Sequence, residues 1–104
     1  MPGIDFDRIR AEITMEQVLT MLGFEPVRRS GPQWNGRCPI HESTSARSRS
    51  FSVNVMLGRY YCHHCHSRGN ALELWAAATR QPLYRAAIDL CGRFGRAVPW
   101  VHRW

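Results

Sequence analysis

Apolar positions early in the chain recur at helical spacing. Met15, Val18, Leu19 and Leu22 fall at i, i+3, i+4 and i+7, which predicts an amphipathic helix. Thr14 stands at its N-cap with Gln17 completing a capping box, and Gly23 follows where a helix favours a left-handed residue. A shorter helix is predicted over 5–13, with Ile9 and Ile13 on one face. The period then changes. Residues 24–29 predict a strand, Gly31-Pro32 a turn and 34–37 the returning strand of a hairpin. Residues 42–50, rich in Ser, Thr and Arg, have no apolar period and predict an exposed loop. Phe51, Val53 and Val55 alternate with Ser52 and Asn54, as in a half-buried strand. Leu57-Gly58 makes a turn and 59–61 return. Asn70 caps a helix reaching Thr79, with Leu72, Trp75 and Ala76 inward. Pro82 opens another, whose stripe is Leu83, Ala86, Ala87, Leu90 and Phe94, while Arg85, Asp89 and Arg93 run down the other face at pairing distance and Gly95 ends it.

The fold class expected is therefore α+β, a small ribbon of antiparallel β-hairpins flanked by N-terminal and C-terminal helices. A single domain over 1–104 is expected, divided into helices over 5–22, a ribbon over 26–69, helices over 70–95 and a tail over 96–104. A chain of 104 residues that is 44% hydrophobic builds only a modest core, and a structural metal is one of the usual staples at that size.

The cysteines supply that staple. Cys38-Pro39-Ile40-His41 and Cys62-His63-His64-Cys65 are two pairs of soft ligands, each separated by two residues. Each pair makes one knuckle, and two knuckles fill the tetrahedral sphere of one zinc ion with no position left for water. Such a site holds a fold and does no chemistry. No apolar run is long enough to span a bilayer, and the first residues lack the basic and apolar regions of a secretion signal. The expected location is cytoplasmic, where cysteines stay reduced and paired spacing reads as metal binding rather than disulfides. Cys91 lies by the stripe of the last helix and reads as a core residue.

Charge adds a partner. The net charge is +6, and all 14 basic residues are arginine. The absence of lysine reads as codon bias in a GC-rich genome. The distribution is more telling: residues 1–25 carry two Arg against five Asp/Glu, while 26–104 carry twelve Arg against Glu42, Glu73 and Asp89. The basic part is the part with the metal ligands, which points to a polyanion. Arg47, Arg49, Arg59 and Arg68 with Tyr60 and Tyr61 form the main nucleic-acid candidate, arginines for phosphates and an aromatic face for a base. Arg37, His63 and His64 extend it. Strand alternation places the two tyrosines on opposite faces, so one of them is expected to stack; packing of Tyr61 in the ribbon core is the bland alternative. His63, His64 and His66 read as solvated side chains, with surplus ligands or stacking groups as the other options.

The order of two helices, Cys38-Pro39-Ile40-His41, Ser50-Phe51-Ser52-Val53, Tyr60-Tyr61-Cys62-His63-His64-Cys65, Gly69-Asn70-Ala71 and a helix resembles the N-terminal zinc-binding domain of bacterial DNA primases. The resemblance covers roughly residues 4–99. It implies a Cys-His-Cys-Cys zinc ribbon with Cys38, His41, Cys62 and Cys65 as ligands, and a basic, aromatic face that recognises single-stranded template DNA during primer synthesis. It also implies a bacterial, phage or mobile-element origin. Where the family has an aromatic residue and glycines around the last cysteine, this chain has His63, His64 and His66. A primase polymerase domain would follow such a module. A chain ending at Trp104 is expected to be a binding module with no catalysis of its own, the other reading being a piece of a longer primase.

Two other classes stand beside this one. A zinc-ribbon adaptor for a protein of a replication or mobile-element complex would use Trp100 and Trp104. A c-type haem carrier would use Cys62-x-x-Cys65-His66, although that leaves Cys38 and His41 idle. A redox Cys-x-x-Cys lacks the βαβ setting it needs.

Overall fold

The computed structural model describes residues 3–40 and 50–101. In chain order the elements are β1 (Gly3–Ile4), α1 (Phe6–Glu12), α2 (Met15–Met21), β2 (Pro26–Ser30), β3 (Gln33–Gly36), β4 (Phe51–Asn54), β5 (Arg59–Cys62), β6 (Arg68–Gly69), α3 (Ala71–Thr79), α4 (Leu83–Arg93) and β7 (Trp100–Val101). This is the α+β ribbon with flanking helices that the sequence predicts. The predicted loop over 42–50 lies outside the described residues apart from Ser50.

Side chains close the helix starts as expected. Thr14 Oγ1 accepts the Gln17 amide at 3.2 Å and Gln17 Oε1 accepts the Thr14 amide at 2.8 Å. Asn70 and Glu73 repeat the reciprocal bond at 2.9 and 3.1 Å. Each box satisfies two backbone donors that a helix start leaves open. Asp5 Oδ1 caps α1 by accepting the Arg8 amide at 3.1 Å.

The ribbon is a five-stranded antiparallel sheet in the order β2-β3-β4-β5-β6. Alternation divides its faces. Phe51 pairs with Cys62 and Val53 with Tyr60, and all four are buried on the inner face. Phe51 meets Phe24 edge-on, with ring centroids 5.2 Å apart, and stacks on Tyr60 at 5.6 Å. The helical side of the core comes from Ile9, Ile13, Met15, Val18, Leu19, Leu72, Leu74, Trp75, Ala86, Ala87 and Leu90. α3 is central: it packs against α1, α2 and α4 and against the β5–β6 end of the sheet. At β3, Gly36 lies so close to the Phe24 ring that a Cβ would stand 2.9 Å from it.

The structure corrects several boundaries. β4 ends at Asn54, so Val55 packs on the core from a turn rather than a strand. Leu83 is 39% exposed, and the buried stripe of α4 begins at Ala86. Asp89 pairs with Arg93 as predicted, and it also accepts the Trp75 indole N–H at 3.0 Å and the Gln81 side-chain amide at 3.2 Å. β6 and the β1–β7 pair are two-residue strands with no alternation to read. The β1–β7 pair joins the start of the described chain to its end, backed by the Asp5 amide on Pro99 O at 2.7 Å and by Arg96 on Glu12 at 3.2 Å.

Candidate metal centre

Cys38 follows β3 and is buried; Cys62 ends β5 with no exposure; Cys65 sits in the turn after β5 and is exposed. Main-chain bonds shape that turn. The Cys62 amide donates to Ser67 O at 2.9 Å, the His66 amide to Cys62 O at 2.9 Å, and the His63 amide to Ser50 O at 2.7 Å. His66 takes the left-handed backbone at φ 61 that reverses the chain. Inside the turn the Cys65 amide donates to Cys62 Sγ at 3.4 Å, so the backbone presents a donor where a thiolate would carry charge.

The three sulfurs lie within 4.8 Å of one another. Zinc–sulfur bonds of about 2.3 Å at tetrahedral angles place two sulfurs about 3.8 Å apart, so a small adjustment brings all three onto one ion. The donor chemistry fits as well. Burial raises the Cys62 thiol, but the Cys65 and His64 backbone amides and the Cys65 and Cys38 thiols outweigh it and hold its pKa below the ordinary value. A depressed thiol favours the thiolate, the form that binds metal. His41, the fourth ligand expected from the sequence, lies outside the described residues. Cys91 stays apart in α4, 1% exposed, its thiol raised by burial and then by the Glu12 charge. It is the core residue that its place in the stripe predicts.

The nucleic-acid candidates divide. Arg37, Arg59, His63, His64 and Arg68 are exposed, while Arg47 and Arg49 lie outside the described residues. Tyr60 is corrected: it is 4% exposed, stacks on Phe51 and bonds Ser67 Oγ through its hydroxyl at 2.8 Å. Burial pushes its phenol upward in pKa. The reason is the period of two. Cys62 must face inward with the other sulfurs, so Tyr60 faces inward too and Tyr61 faces out. The ligand assignment alone carried that phase, and it was the signal that decided between the tyrosines.

The register reveals what spacing along the chain does not. Arg28 pairs with Asn35, Asn35 with Ser52, Ser52 with Tyr61 and Tyr61 with Arg68. These five residues form one row across all five strands, on the face away from the core. Asn35 Nδ2 donates to Ser52 Oγ at 2.7 Å, and Ser52 Oγ lies 3.4 Å from His63 Nε2.

Residues 4–102 match the CHC2 zinc finger, the zinc ribbon of DnaG-type DNA primases. The chain belongs to that family. The CHC2 finger is 32% identical over 94 residues to the DNA primase of Helicobacter pylori strain J99, a match that covers 90% of this chain and 16% of that protein. It is 32% identical over 69 residues to the DNA primase of Treponema pallidum strain Nichols, covering 66% of this chain and 11% of the relative. A crystal structure of the Aquifex aeolicus primase, holding its zinc-binding and RNA polymerase domains, shares the fold with a TM-score of 0.72 at 23% identity, over 92% of this chain and 23% of that one. The matches thus cover about a ninth to a sixth of the length of the curated primases.

Zinc is the cofactor of a CHC2 finger, and Cys38, Cys62 and Cys65 fit one ion. Bound there, it would tie the end of β5 to the segment after β3. This convergence also takes both thiols that a haem attachment at Cys62 and Cys65 would need. Among the described residues, no helix is long and apolar enough to cross a membrane.

Proposed function

We propose that this CHC2 zinc finger binds single-stranded DNA in the cytoplasm during primer synthesis, as a module with no catalytic residues of its own. Cys38, His41, Cys62 and Cys65 hold one structural zinc, and synthesis of the primer belongs to a polymerase domain outside these residues. The observation that carries the reading is the division of the sheet. Over β4 and β5 one face is apolar and buried, whereas the other face of the sheet bears a polar and aromatic row with an arginine at each end. Arginines give the charge that backbone phosphates need, and the aromatic ring between them suits an unstacked base. The surplus of +6 agrees with an anionic partner.

The test is a fluorescence anisotropy titration with labelled single-stranded and duplex oligonucleotides at several salt concentrations. Affinity for the single strand should fall with salt, with a slope of about −0.7 per phosphate neutralised. Arg28→Gln and Arg68→Gln should each reduce that slope by about one contact. Absence of binding at low salt would sink the proposal. The adaptor reading would then stand on a second surface, where exposed Tyr84 and Ile88 of α4 adjoin exposed Trp100, with the Tyr84 and Trp100 rings 6.3 Å apart.

A further inference from the structure

Tyr61 is held by two histidines that neighbour the cysteines. The His63 ring lies 4.8 Å from it, inclined by 70°, and the His66 ring 6.4 Å away, inclined by 66°. The Tyr61 hydroxyl is 3.1 Å from His66 Nδ1. Neither pair is stacked face to face, so the histidines orient the tyrosine without lying parallel on its ring. His66 does this from a left-handed backbone, which costs a non-glycine residue about 1 kcal/mol or more. Glycine would make the same turn without that cost. The side chain that the turn does not need is the one bonded to Tyr61.

The surroundings extend this from a ring to a track. Ser52 and Asn35 are the cross-strand neighbours of Tyr61 on one side, with Arg28 beyond them, and Arg68 is its neighbour on the other. At a strand spacing of about 4.8 Å, the row from Arg28 to Arg68 measures about 19 Å. The charges stand at the two ends, polar groups lie between, and the aromatic cluster sits one strand in from Arg68. The arrangement therefore has a direction, perpendicular to the β-strands.

We propose that Tyr61 is the group on which one unpaired base stacks, that His66 is its positioning residue, and that the DNA strand crosses the sheet along this row with phosphates on Arg28 and Arg68. The inference rests on the single-stranded DNA reading given above and names where on the finger that strand lies.

The probe is a 12-nucleotide thymidine strand carrying a single 2-aminopurine, moved position by position and titrated with the zinc-loaded chain. One position should lose fluorescence on binding, because the reporter stacks. Tyr61→Leu should abolish that quenching and weaken binding by roughly tenfold or more, while Tyr61→Phe, which keeps the ring, should retain the quenching. His66→Gly should melt at the wild-type temperature or above it, since strain is relieved, and yet bind severalfold more weakly with reduced quenching. A structural role alone would leave binding by His66→Gly intact, and that result overturns the positioning role. Quenching at no position, or wild-type binding by Tyr61→Leu, overturns the stacking role while the DNA-binding reading stands. If Tyr61→Leu does not hold zinc, Arg28→Gln and Arg68→Gln decide. Each lies at an edge strand, and unchanged affinity in both overturns the track. A wild-type chain that binds no single strand removes the DNA-binding reading and this inference with it.

Discussion

Removing the Asp89 carboxylate tests how the two C-terminal helices are held together. Its Oδ2 accepts the Trp75 indole N–H at 3.0 Å, Gln81 Nε2 at 3.2 Å and Arg93 Nε at 3.2 Å. Trp75 is 3% exposed and Arg93 also stacks over its ring at 5.2 Å. In Asp89→Ala the indole donor is left buried without a partner, a cost of about 1–3 kcal/mol. The Arg93 pair is half in solvent, with the arginine side chain 52% exposed, and adds at most about 1 kcal/mol. The sum is about 1–4 kcal/mol, equivalent to a fall in Tm of about 4–30 °C for a domain of this size. Asp89→Asn keeps one acceptor oxygen and should cost about 1 kcal/mol, since only the charge assistance is lost.

The same carboxylate fixes a pH dependence. Burial raises its pKa, but the bonds from Gln81, Arg93 and Trp75 outweigh burial and hold it below the ordinary value of 3.8. A depressed carboxylate contributes stability that is fully present above the unfolded pKa and is lost as pH falls through the lower folded value. The Tm gap between wild type and Asp89→Asn should be constant from pH 7 to about 5 and should close below about pH 4. Metal loss in acid lowers both proteins alike, so the difference is the readout. Thermal melts of the zinc-loaded proteins by circular dichroism measure it. An Asp89→Ala melt within about 2 °C of wild type at pH 7, or a gap that does not narrow at all as pH falls below about 4, would refute the reasoning.

Chelation should remove one zinc per chain and, with it, the sheet. Colorimetric metal counting and circular dichroism in excess chelator check this, as does Cys62→Ser. Gly36→Ala forces a Cβ to within 2.9 Å of the Phe24 ring and 3.2 Å of Glu25 O and should cost about 1–3 kcal/mol in urea unfolding; an unchanged midpoint would mean that the Phe24 side yields. Cys91, raised in pKa and buried, should resist thiol reagents in the folded chain, and Cys91→Ser should cost about 1–3 kcal/mol by burying a hydroxyl, read from the same urea curves.

Local signals carried most of the helices and the Cys62–Cys65 pair. Thr14 with Gln17 and Asn70 acting as caps were legible because a cap acts within one turn. The Cys62–Cys65 knuckle was legible because ligand spacing is a local constraint too. Tyr60 was misplaced where two readings met. The charge and aromatic cluster around 59–61 suggested a binding patch, while the phase of β5 was already set by Cys62 facing the other sulfurs. The row from Arg28 to Arg68 had no signature along the chain. Its members lie on five strands, and their alignment depends on four registers that no single stretch of the chain sets. Asp89 was read through Arg93, its helical neighbour, because i, i+4 pairs are visible in sequence; its bond to Trp75 of the preceding helix is set by how α3 and α4 cross.

One strand links the two faces. On β5, Tyr60 and Cys62 point inward to the core and to the other sulfurs, and Arg59 and Tyr61 point outward. The turn after it continues the division, with Cys65 near the other sulfurs and His63 and His66 beside Tyr61. Because a two-residue period allows no independent rotation of neighbours, whatever fixes Cys62 also fixes Tyr61. Zinc held by Cys62 and its partner sulfurs would therefore reinforce the strand phase that buried Tyr60 already sets and that turns Tyr61 outward. The same turn that brings Cys65 to the other sulfurs sets His63 and His66 beside Tyr61, so closing the knuckle on a metal would also order the groups that hold the ring.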